Sequence, residues 1–484
     1  MRRLAVLVAA FAFVVGMASA ASAHAVLTSV TPRAGSIVAA APAQVTLRFD
    51  EPVAVTPSAI HVYDDRLKRV DQGSAGRITG RSDTVGVHLK PGLPAGTYTV
   101  TFRVISDDSH PVAGEYRFSV VAPSTVHGVA GDLARGSKVV GVALGTARFV
   151  EYAGLAVGLG GLVFFVLWPA GRRDRGARRL VFGGLVTLLA GSVAALLLET
   201  PYVAGEGLGS TFDRRVLPTV LASHFDIAVI MRIVVVAIVL LLYRVLIDRG
   251  PYGYPYTIAG LAVVLADTFA DAGHSTVNDN YGLAQLSDGA HVLAMTVWLG
   301  GLVMLVVIVM RQHADALTHD VVARFSTVAL GCIAVIAGTG TYQAVRNVGY
   351  WPALVDTTYG RLVLAKIGGL AVIVGLGYVA RRWVIRAVAL TDTVTFRRGL
   401  AAEIVIGFAV LVLTSVLVAT LQGKTAYESS GVCLTAQLCG SRCCSSAPAT
   451  SADLLPPSAC SPIDCGPGSA RRCRSTCAAQ GPAH

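Results

Sequence analysis

The sequence predicts two architectures in one chain: a small antiparallel β-sandwich or barrel, then an eight-helix transmembrane bundle. Three observations carry this reading. Short apolar runs of period two fill residues 24–121. Apolar runs long enough to cross a hydrocarbon core of about 30 Å recur between residues 139 and 423. Between the two, residues 122–138 mix Pro123, Ser124, glycines and charges without periodicity, which reads as a linker.

The chain opens on a secretory signal. Arg2 and Arg3 form a basic start, Leu4 to Val15 is apolar, and Ala21-Ser22-Ala23 is an A-x-A cleavage site, so residues 1–23 are set apart. Ala18-Ser19-Ala20 is a second A-x-A. Cutting after Ala23 makes His24 the first residue, with a free α-amine beside its imidazole. Amine and ring nitrogen together chelate one metal ion, and tetragonal nitrogen and oxygen donor sets suit Cu(II). Cutting after Ala20 leaves His24 inside the chain, an ordinary surface histidine.

The strands follow from alternation. Val45, Leu47 and Phe49 alternate with polar residues, as do Val85, Val87 and Leu89. Tyr98, Val100, Phe102 and Val104 do the same, and so do Tyr116, Phe118 and Val120. Such runs, broken by Pro and Gly turns, make antiparallel strands buried on one face. Several of them within about 100 residues suggest a sandwich or barrel. His61 and His88 fall on the opposite parity and read as solvated surface residues.

Two more stretches carry metal-ligating residue types. Glu51 closes Leu47-Arg48-Phe49-Asp50-Glu51, and Asp108 and His110 stand two apart in Ser106-Asp107-Asp108-Ser109-His110-Pro111. Residues i and i+2 of an extended segment point to one side. Pro111 restricts His110 to extended geometry. A carboxylate and an imidazole can therefore converge on one ion.

These residues resemble the CopC family of periplasmic copper-binding proteins. The matching stretches are His24-Ala25-Val26-Leu27 with Thr31-Pro32 and Gly35-Ser36, then Phe49-Asp50-Glu51, Pro94-Ala95-Gly96-Thr97-Tyr98, and Ser106 through Gly114. The resemblance implies Cu(II) ligation by His24, Asp108 and His110, with Glu51 nearby. Some members of that family add a Met-rich Cu(I) site. Residues 24–121 contain neither Met nor Cys, so Cu(II) alone is expected there. The missing thiolate also excludes a blue-copper centre.

Eight apolar runs follow, at roughly 143–168, 180–199, 225–247, 256–273, 287–310, 325–345, 360–380 and 399–421. The loops after the first, third, fifth and seventh carry the arginines: Arg172, Arg173, Arg175, Arg178 and Arg179, then Arg244 and Arg249, Arg311 and Arg324, and Arg381, Arg382, Arg386, Arg397 and Arg398. The opposite loops carry few, notably Arg214 and Arg215. Positive loops stay in the cytoplasm. The β part and the C-terminal tail are then outside the cell membrane, in agreement with the signal peptide. The net charge of +11 is thus partly topogenic and does not imply nucleic acid as a partner.

Ionisable residues inside spans are costly and mark candidate sites. The fourth run presents Asp267, Asp271 and His274 on one helix face. The fifth presents Asp288, His291, Met295 and Trp298 on one face. His274 ends one run and His291 begins the next, at similar depth. His274, His291, Asp271, Asp288 and Met295 are therefore the transmembrane candidates for passing a copper ion. Structural readings are preferred for Arg148, Glu151, Arg232, Lys366 and Glu403. Arg148 and Glu151 are spaced to pair on their own helix, and Glu403 stands near the cytoplasmic end, beside Arg397 and Arg398.

The second part resembles the CopD family of inner-membrane copper proteins. The stretches are Arg148 through Gly161, Ala272-Gly273-His274, Asp288 through Gly301, Thr358-Tyr359-Gly360-Arg361 with Lys366, and Glu403. One chain joining both modules resembles fused copper-import proteins of the YcnJ type. That resemblance implies copper acquisition across the cytoplasmic membrane. No G-x-x-x-x-G-K-[ST] occurs, so transport is expected to be passive or coupled to an ion gradient.

The tail from residue 424 holds eight of the nine cysteines: Cys433, Cys439, Cys443, Cys444, Cys460, Cys465, Cys473 and Cys477. Disulfides are open to it outside the membrane, yet its Ser, Ala, Gly and Pro content builds no core. It departs from the family pattern, resembles a shifted reading frame, and is expected to be disordered and without a role. Cys332 reads as packing, and His127 as exposed. Three function classes remain. An importer is favoured, against a copper receptor that delivers or senses without flux, and a copper or haem redox enzyme. A carboxylate in the copper shell favours holding Cu(II) over cycling it. His224, His274 and His291 are too few for a two-haem bundle. No catalytic residues are assigned.

Overall fold

The computed structural model describes residues 25, 27–78, 80–106, 111–126, 136–248, 253–272, 281–311, 316–385, 393–420, 422–424 and 426. The signal segment, the Cys-rich tail, His127 and the candidate ligands His24, Asp108, His110 and His274 lie outside the described residues.

Eight strands form the first part: β1 (Leu27–Thr31), β2 (Ile37–Val38), β3 (Gln44–Phe49), β4 (Ile60–Tyr63), β5 (Gly76–Arg77), β6 (Thr84–His88), β7 (Gly96–Ile105) and β8 (Pro111–Val120). They make two four-stranded sheets, ordered β1-β3-β6-β5 and β2-β8-β7-β4. All pairs are antiparallel except the short β2–β8 pair. The alternating residues of β3, β6, β7 and β8 turn inward and are buried between the sheets. The Phe49 and Phe102 rings meet edge to face at 6.0 Å across them.

His88 is exposed, as its parity requires. His61 departs from expectation. Its side chain is 22% exposed, with Nδ1 3.7 Å from Oδ2 of the fully buried Asp71. Asp71 also accepts from the backbone of Val62 (3.0 Å) and Gly73 (2.9 Å) and from Arg69 Nε (2.9 Å). A buried carboxylate needs such partners, and this one draws His61 out of the solvent.

Each of the eight apolar runs coincides with a long helix. These are α1 (Lys138–Leu167), α2 (Arg175–Ala204), α3 (His224–Leu241), α4 (Gly253–Asp271), α5 (Tyr281–Arg311), α6 (Ala316–Val348), α7 (Thr358–Ile385) and α8 (Thr393–Val418). Among the described residues six are long and apolar enough to cross a membrane; α3 and α4 fall outside those six. The third run breaks at Leu242, where α3 ends and a short helix, Tyr243–Ile247, begins. Caps fix the ends. Asp174 accepts from Ala177 N at 2.6 Å to start α2, and Gly205, at φ 73°, ends it in the left-handed conformation. Ser223 starts α3, accepting from Asp226 N at 3.2 Å.

Helix α1 is central because small residues let its neighbours touch its backbone. A Cβ on Gly158 would lie 2.8 Å from Leu185 N of α2, and one on Gly300 of α5 would strike Ala156 O. Close approach of this kind replaces the hydrophobic drive that lipid removes.

Candidate metal centre

Strand pairing gathers the segments that flank the predicted ligands at one end of the sandwich. Leu27 pairs with Phe49, so the start of β1 lies at the end of β3, which Asp50-Glu51 follow in the chain. Ala54 bridges to Ile105, and Ile105 pairs with Pro111 to close the β7–β8 hairpin that carries Asp108 and His110. Glu51 itself is part-exposed, and Ala25, next to His24, is buried in the core. Among the described residues no three His, Cys, Asp or Glu side chains form a metal shell.

This part of the sandwich meets the bundle through Arg103 of β7. Its Nη2 donates to Tyr202 O at 2.6 Å and its Nε to Val203 O at 3.1 Å. The guanidinium also stands over the Tyr202 ring at 5.6 Å. These are last-turn carbonyls of α2, at the negative end of the helix dipole, and Tyr202 O accepts from the capping Gly205 N as well, at 3.3 Å. Burial among them pushes the Arg103 guanidinium below its usual range.

In the bundle, α5 presents Asp288, His291 and Met295 on one face, as their spacing requires. His291 Nδ1 lies 2.9 Å from Thr339 Oγ1 of α6. The Thr339 hydroxyl donates its one proton to Val335 O at 2.6 Å. A neutral His291 ring therefore donates at Nδ1 and keeps its lone pair on Nε2, the atom a metal takes. Gly340 leaves room for the ring, since a Cβ there would lie 3.3 Å from Cε1. Asp288 is bonded by Gln343, its Oδ1 is buried without a hydrogen-bond partner, and Arg346 is within electrostatic range. Met295 packs against the helical core, as does Cys332. Asp267 and Asp271 share the amide of Gln285, at 2.9 Å and 2.7 Å, which joins the end of α4 to α5.

Arg148, Glu151 and Arg232 pair between helices. Arg148 does not pair with Glu151. Its Nη2 is 3.9 Å from Glu199 of α2, and its guanidinium stands over Phe225 of α3. Glu151 instead meets Arg232 Nη1 at 2.6 Å and accepts from Ser192 at 2.7 Å. Arg232 completes its bonding at Thr268 O (2.7 Å) and over the Phe269 ring (3.5 Å). Glu403 is buried in α8. The sequence pattern did not single out Glu199 and Asp226, which the fold buries beside the sandwich. Their one signal is an acid at the end of one apolar run and another at the start of the next.

Known proteins divide the chain in the same way. Residues 27–121 match the CopC domain, residues 139–285 the copper resistance protein D-like N-terminal domain, and residues 319–417 copper resistance protein D. The copper transport protein CutJ of Bacillus subtilis (strain 168) is 28% identical over 420 residues, covering 84% of this chain and 75% of that protein. Copper resistance protein C of Escherichia coli is 36% identical over 113 residues, covering 22% of this chain and 89% of that protein. The crystal structure of CopC from Methylosinus trichosporium OB3b is 33% identical over 22% of this chain and 99% of its own, with a TM-score of 0.19. A CopC domain precedes both CopD segments in one polypeptide, and CutJ aligns over more residues than either part supplies, so the chain belongs to the CopC/CopD fusion family of copper resistance and transport proteins.

Proposed function

We propose that the chain captures Cu(II) outside the cytoplasmic membrane with its β-sandwich and passes it into the bundle for import. The observation that carries this reading is the convergence at one sandwich end. Leu27 pairs there with Phe49, Ala54 bridges to Ile105, and Ile105 pairs with Pro111, so the described residues that flank the expected ligands support a shared site. In this reading residues 1–23 are removed, and His24 binds with its amine and ring. Asp108 and His110 complete the shell, with Glu51 beside it. A carboxylate and nitrogen set of this kind holds Cu(II).

Arg103 keeps the loaded sandwich against α2. Onward transfer runs through His274 and His291, with Asp271, Asp288 and Met295 as auxiliary donors. The Nε2 lone pair of His291, set by Thr339, supports its role. The arginine-rich loops support a bundle whose sandwich side faces outward, and the name of CutJ, a copper transport protein, supports flux.

Labelled-copper accumulation in cells tests the reading. Cells with the full chain are expected to accumulate more copper than cells with the His274→Ala/His291→Ala variant. Equal accumulation, with Cu(II) still bound by the purified variant, would leave a capture or sensing protein and remove import.

A further inference from the structure

A cavity of about 340 Å³ lies between the sandwich and the bundle, beside their contact. Pro52, Arg77 and Ser106 line its sandwich side, and Glu199, Ser223 and Asp226 its helical side. Pro52 follows Glu51 in the chain, and Ser106 stands two residues before Asp108. The cavity thus begins where the ligand-bearing segments end.

Two carboxylates face this space from the bundle. Asp226 has no exposed surface; its Oδ2 accepts from the Ser223 hydroxyl at 2.9 Å, while its Oδ1 has no hydrogen-bond partner. Among the described residues no cation is paired with it. Glu199 is 2% exposed and lies 3.9 Å from Arg148. Arg77, the cation lining the opposite wall, spends Nε and Nη2 on Val53 O at 3.1 Å and 2.9 Å. A buried carboxylate oxygen without a partner is costly unless something positive joins it. The cavity is far larger than one water needs, so an ion with waters fits beside Asp226.

We infer that Asp226 and Glu199, with the Ser223 hydroxyl, form a relay site for copper between the sandwich and the bundle. The inference rests on the capture-and-transfer reading for the identity of the cation. Among the described residues the lining holds no Cys, Met or His, and oxygen donors suit Cu(II) over Cu(I). Copper therefore enters the bundle still oxidised, and any reduction comes deeper. Two carboxylates and a hydroxyl are fewer protein donors than a storage site uses, which suits a stop that must release its ion.

The test is Cu(II) titration of the purified full-length mature chain in detergent, followed by electron paramagnetic resonance. A second, weaker equivalent with an oxygen-donor signature is expected beyond the capture site. Asp226→Asn should lose it and keep the first equivalent, Glu199→Gln should weaken it, and Asp226→Glu should retain it. A wild-type chain with one equivalent, or a second equivalent that survives Asp226→Asn, overturns the relay; in the latter case Asp226 holds only a proton. A second equivalent present in a chain that accumulates no copper would sink import and leave the relay standing. Import that depends on His274 and His291, without a second equivalent, would do the reverse.

Discussion

Arg232 and Glu151 make the most consequential pair of side chains in the bundle, because neither charge has an alternative to the other. They lie 2.6 Å apart with both side chains almost wholly buried. Removing one partner strands the other charge in a medium that cannot solvate it. Glu151→Ala is expected to cost about 3–5 kcal/mol. The double variant Glu151→Leu/Arg232→Met should recover most of that loss, because it removes both charges and keeps volume. Thermal unfolding of the full chain in detergent checks both. A single variant as stable as the parent would mean that water reaches the pair. The spacing of Arg148 and Glu151 concealed this arrangement. Two charges one turn apart can pair on an isolated helix, but a bundle offers each a better partner on a neighbour, and those partners lie 51 and 81 positions away in the chain.

Strand β4 is held to the following turn by Asp71 rather than by its ladder alone. Burial by itself would push this carboxyl up. The contacts from His61, Arg69 and the Val62 backbone outweigh burial and hold it well below the usual carboxylate range. A carboxyl depressed on folding contributes stability above its unfolded value of about 4 and loses it as pH falls below that value. The parent is therefore expected to lose stability on acidification below about pH 4 in excess of an Asp71→Asn variant. Chemical denaturation across pH measures the difference, and parallel profiles would remove Asp71 from the account. The same strand marks the limit of sequence reading. Alternation located β3, β6, β7 and β8 because the large apolar residues of each share one face and the code has period two. It placed His61 on the outer face correctly, but parity cannot reveal a buried acid ten residues further on. Helices were legible from run length alone. Glu199 and Asp226 were not, since an acid at the end of an apolar run ordinarily meets water, and here they line the space between the bundle and the docked sandwich.

At the scale of the whole chain, the sandwich and the bundle are joined by the Arg103 contact and by Ile105 packed with Val203, Val216 and Val220. Arg103→Ala should leave Cu(II) affinity of the sandwich unchanged and reduce copper accumulation. It should also raise hydrogen exchange at the end of α2, around Tyr202 and Val203, whose carbonyls Arg103 now covers. Arg103→Lys should restore little of this, because an ammonium cannot reproduce the planar fork. Unchanged exchange in Arg103→Ala would show that other contacts hold the docked state. Once these contacts let go, the covalent connection limits how far the sandwich can stray. Residues 122–137 span at most about 55 Å however they are arranged. A sandwich confined to that radius sees the bundle at an effective concentration on the order of 1 mM. A free copper-binding protein would need comparable abundance to compete for the same face. Docking strength then governs how long each visit lasts, while the tether guarantees that the next visit comes from the same molecule.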